Sequence, residues 1–369
     1  MDNDIRFYVG LDVHKDSTAV AVCEPGREAS RFVGSVGPDL QQVLKVLHRY
    51  GNAAQVSVVY EAGPTGYGLQ RALAARGYRC EIIAPSLIPR RAGERVKTDR
   101  RDCARLAELS RAGELKAIWV PDAAHEAIRN LWRAREDAVD ARVKARQQLK
   151  AFLLRAGRLY EGKTAWTKMH ERWIADQRFD EPADQIALTE YQLAVQAADE
   201  RVRRLTNALE QSAADWQFAP TVAALRALRG IDTVSAIGLV CEIGDINRFA
   251  TARQLMGYLG LVPSEHSSGG TVRRGSITKT GNAHARRLLT EAAWNYRFPA
   301  RMSNVLRMRS RDLAPEIRNH AWKAQLRLCA RFSQLAHRGM QPNKVCVAVA
   351  RELAGFIWAI ARQGAIRQQ

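Results

Sequence analysis

Residues 6–23 read RFYVGLDVHKDSTAVAVC: two runs of β-branched, aromatic and small apolar residues around the polar turn HKDS. Such runs joined by so short a turn predict a β-hairpin, and SRFVGSV at 30–36 extends it to a meander. Beyond it, Gln41–His48 has the spacing of a helix, QVSVVYEA (55–62) that of a strand, Tyr67–Arg76 of a helix and CEIIAP (80–85) of a strand. Three strands in a row followed by alternating helices and strands describe a mixed α/β sheet covered by helices. The glycine fingerprint of a dinucleotide-binding unit is absent from this stretch.

Acidic residues fall at telling points of that pattern. Asp12 lies near the end of the first strand and Glu61 at the end of the fourth. Asp99 and Asp102 lie in VKTDRRDCARLAELS (96–110), a helix entered through Thr98. A spacing of three puts Asp99 and Asp102 on one helical face. Carboxylates from strand ends and a helix face converge at the carboxyl edge of a sheet, where their repulsion is costly unless hard cations neutralise it. Two Mg²⁺ ions held that way activate a nucleophile and stabilise the leaving oxygen of a phosphodiester. Each residue also has a plainer role: Asp12 as a turn acceptor, Glu61 as an exposed strand end, Asp99 and Asp102 as a helix cap and dipole partners. The four together, in this order of elements, favour the metal site.

The series GLDVHK (10–15), YEAGPTGYGL (60–69) and VKTDRRDCARLAEL (96–109) resembles the RuvC-like N-terminal domain of the DEDD transposases of the insertion-sequence-110 family, RNA-guided recombinases of bacterial mobile elements. The resemblance implies an RNase H-like fold for residues 1–118, Mg²⁺ as the metal, and Asp12, Glu61, Asp99 and Asp102 as the four acidic positions.

From Pro121 the texture becomes that of long charged helices. Leu188, Tyr191, Val195, Ala198, Val202, Leu205 and Leu209 keep a three-four alternation. This predicts a helical, coiled-coil region over 119–216, its seam covered by an intramolecular hairpin or by a second subunit. The first of these helices carries Arg129, Arg133, Arg142, Lys144, Arg146 and Lys150, a solvated face or one for a nucleic-acid backbone. Leu225–Gly244 resembles a helix-hairpin-helix, with Asp232 where a second glycine usually stands; its turn either binds phosphate or simply packs.

Residues 257–281, GYLGLVPSEHSSGGTVRRGSITKTG, set serines among glycines and cations, with little aliphatic bulk after Val262. Small residues admit a polyanion backbone, cations neutralise it, and a hydroxyl attacks phosphorus or hydrogen-bonds to its oxygen. The plain alternative is a Ser/Gly surface loop. The same family carries a mostly helical C-terminal transposase domain with this progression, here residues 217–345 followed by a terminal helix at 346–369. Alignment from Gly260-Leu261-Val262-Pro263 places its nucleophile at Ser268, next to Ser267. Ser264 and Ser276 suit turn or hydrogen-bonding roles, and a lone loop histidine such as His266 is more often incidental. Arg273, Arg274, Lys279, Arg286 and Arg287 are the candidate phosphate contacts, with Asn282 at a helix start.

The charge distribution agrees with a polyanionic partner. The chain of 369 residues has a net charge of +19, and residues 271–369 hold 19 Lys/Arg against 4 Asp/Glu. Nucleic acid is the most economical partner for such a surface. No apolar run is long enough to span a membrane, MDNDIRFYVGLD lacks the pattern of a signal peptide, and the six cysteines form no CxxC pair. These features predict an intracellular protein with reduced thiols, and the family resemblance implies a bacterial cytoplasmic, nucleoid-associated one. The family resemblance further implies DNA ends and target as substrates, a bridge RNA as guide, and a homodimer or tetramer with composite sites. The rivals are a structure-selective nuclease of Holliday-junction-resolvase type, using water, and a binding scaffold without catalysis.

Overall fold

The computed structural model of the protein describes residues 5–89, 98–265 and 273–366. The chain divides into two compact units, Met1–Val120 and Pro121–Gln369.

In the first unit β1 (Phe7–Val13), β2 (Thr18–Cys23) and β3 (Arg31–Val36) form the expected antiparallel meander. There follow α1 (Leu40–Leu47), β4 (Val56–Glu61), α2 (Gly68–Ala74), β5 (Arg79–Ile83) and α3 (Asp99–Ala112). β4 pairs parallel with β1, and β5 parallel with β4, so the mixed sheet has the order β3-β2-β1-β4-β5 with β1 at its centre.

Strand alternation sorts the side chains by face. Val9, Leu11, Val20, Val22, Val56, Val58 and Tyr60 pack with Val43, Leu44 and Leu47 of α1 and Leu73 of α2. The opposite face carries Ala19 and Ala21 against Cys103, and Val59 and Ile83 against Leu106, which seats α3 there. α3 lies directly on the central strand: a Cβ at Gly10 would stand 2.0 Å from the Cys103 carbonyl oxygen and 2.7 Å from the Ala107 amide nitrogen. Only glycine admits that approach. Gly10→Ala should therefore cost about 1–3 kcal/mol, the usual range for overpacking, and a thermal melt that matches wild type would contradict this packing.

The second unit begins with α4 (Ala123–Arg155), α5 (Lys168–Ala175) and α6 (Pro182–Ser212). α4 and α6 run antiparallel, with Arg146 on Asp199 at 2.9 Å and Arg135 Nε donating to Thr206 Oγ1 at 3.3 Å. Leu188, Val195, Val202 and Leu209, seven residues apart, are the buried residues of α6. The apolar seam is thus occupied within the chain, by the intramolecular hairpin of the two alternatives.

α7 (Ala219–Leu225), α8 (Thr233–Ile243), α9 (Ala252–Tyr258), the two-stranded pair β6 (Pro263–Glu265) and β7 (Arg274–Ile277), α10 (Ala283–Ala293), α11 (Asn304–Ser310), α12 (Pro315–His337) and α13 (Pro342–Ile366) complete the unit. One core joins them. Trp132 of α4 is fully buried against α8, donating its indole N–H to the Val234 carbonyl at 3.2 Å, and Val345, Val349, Leu353, Ile357 and Ile360 of α13 lie in the same cluster. The terminal helix is a structural centre of this unit as well as a carrier of charge. In the hairpin between α7 and α8, the Asp232 side chain caps α8 by accepting from the Ser235 amide at 2.8 Å. That gives the departure from the glycine pattern a structural reason.

Candidate active site

The parallel register pairs Leu11 with Tyr60. The next residues, Asp12 and Glu61, therefore stand side by side at the carboxyl ends of β1 and β4, on the face that carries α3. Because Gly10 lets α3 rest on β1, the first turn of α3 arrives at the same edge and brings Asp99 and Asp102 with it. Thr98 makes the capping bond, accepting from the Arg101 amide at 3.3 Å. The cap that an aspartate often supplies in a first turn is therefore provided by its neighbour.

The site gathers one residue that the sequence pattern did not single out. His14 Nε2 lies 3.3 Å from Asp12 Oδ2 and 3.7 Å from Asp99 Oδ1. Asp12, His14 and Asp99 offer ligand atoms all within 4.8 Å of one another. The signal was present in GLDVHK, because a residue two beyond Asp12 projects from the same side of an extended chain. Burial pushes the Asp12 carboxyl above its ordinary range; His14 pulls it back, and the charges of Asp99 and Asp102 push it up again. Two carboxylates and an imidazole at such distances suit a divalent cation, which would relieve that repulsion. Asp102 acts on Asp12 through its charge, and Glu61 adjoins it across the strand pair.

The serine segment is framed by β6 and β7, whose antiparallel register pairs Pro263 with Ile277 and Glu265 with Arg274. Ser268, Ser267 and His266 lie outside the described residues. The base of the segment is closed by backbone bonds from Thr278 N–H to the Val262 carbonyl at 2.9 Å and from Lys279 N–H to the Gly260 carbonyl at 3.1 Å. Gly281 sits there at φ +72°, and a Cβ on it would stand 1.9 Å from the Tyr258 carbonyl oxygen.

Of the candidate phosphate contacts, Arg273, Arg274 and Lys279 are exposed. Arg274 pairs loosely with Glu265 at 3.5 Å, an exposed contact of little energetic weight. Arg286 instead points inward, its Nη1 donating to the carbonyls of Leu259 at 3.0 Å and Thr280 at 3.1 Å, which ties α10 to the closed base. Arg287 bonds Glu136 of α4 and Glu291, the latter at 2.9 Å.

A buried acid supports this region from behind. Glu242 of α8, with only 1% of its side chain exposed, accepts from Arg133 Nε at 2.8 Å and Nη2 at 3.0 Å and from Asn282 Nδ2 at 2.6 Å. Asn282 also caps α10, accepting from the Ala285 amide at 2.9 Å. Burial alone would raise the Glu242 carboxyl, but these hydrogen bonds outweigh it and hold it below its ordinary value. Its contribution to stability is therefore present above the unfolded carboxylate pKa and is lost as pH falls through the lower folded one. Removing Arg133 leaves the carboxylate buried with one partner fewer, so Arg133→Ala should destabilise by about 3–5 kcal/mol. Glu242→Gln should cost less, since the half-exposed guanidinium can turn to water; equal melting temperatures for both variants and wild type would refute the assignment.

A five-stranded mixed sheet, its central strand ending in an aspartate beside a glutamate strand end and an acidic helix start, agrees with an RNase H-like fold and gathers an acidic cluster suited to a metal. The comparisons with known proteins make that reading specific. The family described as transposase IS116/IS110/IS902 matches residues 222–306, and the DEDD transposase family of the IS110 type matches residues 9–157. The chain is 47% identical over 358 residues to y4qE, named as a transposase of Sinorhizobium fredii, covering 96% of this chain and 88% of that protein. It is 28% identical over 345 residues to the transposase for insertion sequence element IS1533 of Leptospira borgpetersenii, covering 92% and 98%. To the transposase for IS1328 of Yersinia enterocolitica it is 25% identical over 309 residues, 84% of each chain. The chain belongs to the IS110 family of insertion-sequence transposases, DNA-modifying enzymes. Among the described residues, no helix is long and apolar enough to cross a membrane.

Proposed function

We propose that this transposase cuts and rejoins DNA in a Mg²⁺-dependent reaction through a covalent phosphoserine intermediate at Ser268. The observation that carries the metal half is the gathering of Asp12, His14 and Asp99 beside Glu61 and Asp102 at one sheet edge. Asp12 and Asp99, with Glu61 and Asp102, would hold the cation, which supplies Lewis-acid polarisation of the scissile phosphate. The Ser268 Oγ attacks phosphorus: an Oγ–P bond forms, a phosphodiester P–O bond breaks, and the hydroxyl proton passes to the departing DNA oxygen. Religation is the reverse attack by a DNA hydroxyl on the phosphoserine, which conserves the bond energy. The exposed cations Arg273, Arg274 and Lys279 flank the segment and suit the backbone phosphates; Arg286 and Arg287 brace α10 behind them.

Family membership supports element ends and target as DNA substrates, an element-encoded RNA as guide, and a homodimer or tetramer as the working assembly. With RNA guidance, sequence choice belongs to base pairing and the basic surface reads backbone and shape. Labelled element-end DNA incubated with protein, Mg²⁺ and RNA from the element's flanking non-coding region, then run on a denaturing gel, tests the reading. A protein-linked DNA band is expected for wild type and not for Ser268→Ala. Cleaved DNA without an adduct, equal in both, would instead establish a hydrolytic nuclease that uses water.

A further inference from the structure

At the junction of α11 and α12 the second unit holds a cavity of about 240 Å³, lined by Met302, Leu306, Arg307, Arg311, Arg318 and Trp322 among others. Helical spacing builds it: Arg307 and Arg311 lie four residues apart around the end of α11, as do Arg318 and Trp322 on α12, so each pair shares a face. The three arginines are exposed and Trp322 is half-buried. The surroundings are as cationic as the lining. Residues 297–318 contain six arginines against Asp312 and Glu316, and the Arg311–Asp312 contact at 3.4 Å is exposed on both sides, so it neutralises little.

The same stretch of chain also leaves apolar side chains at the surface: Phe298 is 49% exposed, Val305 57% and Met308 67%. A cavity walled by an aromatic ring and three arginines is matched to a ligand with both a flat apolar face and negative charge. A nucleotide has both. The volume is on the order of eight liquid-water shares at about 30 Å³ each, room for one planar base. In a duplex the bases are stacked inside, so only an unpaired strand can present one here.

We propose that this cavity binds a nucleotide of single-stranded nucleic acid, with Trp322 against the base and Arg307, Arg311 and Arg318 on the flanking phosphates. The cavity is lined by none of the residues to which the chemistry is assigned, and its test requires no cleavage. The full chain in EDTA would be titrated with labelled oligothymidylate, oligouridylate and a duplex of the same length, read by fluorescence anisotropy, using wild type, Trp322→Ala and Trp322→Phe. The same single strands carrying 5-iodouracil would be photo-crosslinked and the attached peptide mapped.

Trp322→Ala should weaken single-strand binding about tenfold, the scale of one stacked base. Trp322→Phe should retain most of the affinity, duplex binding should not change, and the crosslink should fall on Trp322. Weakening confined to the ribo- or the deoxyribo-oligonucleotide would identify RNA or DNA as the strand held; equal weakening would show that the site takes either. Unchanged single-strand affinity in Trp322→Ala, equal loss for duplex and single strand, or displacement of the oligonucleotide by polyglutamate of the same charge would overturn the proposal. Retained binding by the phenylalanine variant, with a wild-type melting temperature, separates loss of stacking from loss of folding.

Discussion

Replacing Asp12 by Asn should lower Mg²⁺-dependent DNA cleavage by about 10³-fold, roughly 4 kcal/mol of transition-state stabilisation, without making the metal-free protein less stable to heat. The two halves of that result come from one geometry. Asp12 ends the central strand, adjoins Glu61 across the parallel pair, and lies with His14 and Asp99 in the one compact group of ligand atoms found among the described residues. Loss of its charge removes a donor from the centre of the site. The carboxylate is also uncomfortable where it stands, since burial and the charges of Asp99 and Asp102 raise its pKa despite His14.

A raised folded pKa means the ionised form is the less favoured one in the folded state. Its cost is absent below the unfolded carboxylate value and is complete once pH exceeds the raised folded value. At neutral pH the isosteric amide avoids this cost. Thermal melts in EDTA should therefore place Asp12→Asn at or above wild type, and added Mg²⁺ or Mn²⁺ should stabilise wild type more than the variant. A variant that melts well below wild type in EDTA, or that cuts at the wild-type rate, would remove Asp12 from the role given to it.

Ser268→Ala is the substitution with the largest expected effect on strand exchange, a loss on the order of 10⁶-fold, as when the nucleophile of a covalent mechanism is removed. DNA binding and the metal-dependent rise in melting temperature should persist, because the exposed Arg273, Arg274 and Lys279 and the acidic edge are untouched. Ser267→Ala, one residue away, should retain activity. If instead Ser267→Ala is inactive and Ser268→Ala active, the alignment from Gly260-Leu261-Val262-Pro263 is displaced by one.

The sheet was legible because strand period and turn chemistry agree: RFYVGLDV, TAVAVC and SRFVGSV became β1, β2 and β3, and the acids at the strand ends kept their places. What a linear reading could not supply was the tertiary contact that makes those acids one site. The contact depends on Gly10, whose missing Cβ lets the Cys103 carbonyl rest on β1, and on α3 crossing that strand. Sequence alone does not single out His14 as a ligand for the same reason, since its value lies in the distance to Asp99, a residue far along the chain.

In the second unit the seam of Leu188, Val195, Val202 and Leu209 announced a partner helix without naming it; α4 is that partner, held by Arg146 on Asp199. The basic residues divided in a way composition does not show. Arg286 and Arg287 serve the protein's own carbonyls and carboxylates, and the Glu242 network that braces α10 had no signature in sequence at all.

The measurement that tests the central claim most directly is peptide mapping of the protein–DNA adduct. Wild-type protein would be incubated with element-end DNA, Mg²⁺ and the flanking RNA, denatured, digested with nuclease and trypsin, and analysed by mass spectrometry for a nucleotide-modified peptide. A nucleotide phosphate on Ser268, formed only with Mg²⁺ and missing in Asp12→Asn, is the result predicted. DNA cut in full with no modified serine anywhere in the digest would contradict it.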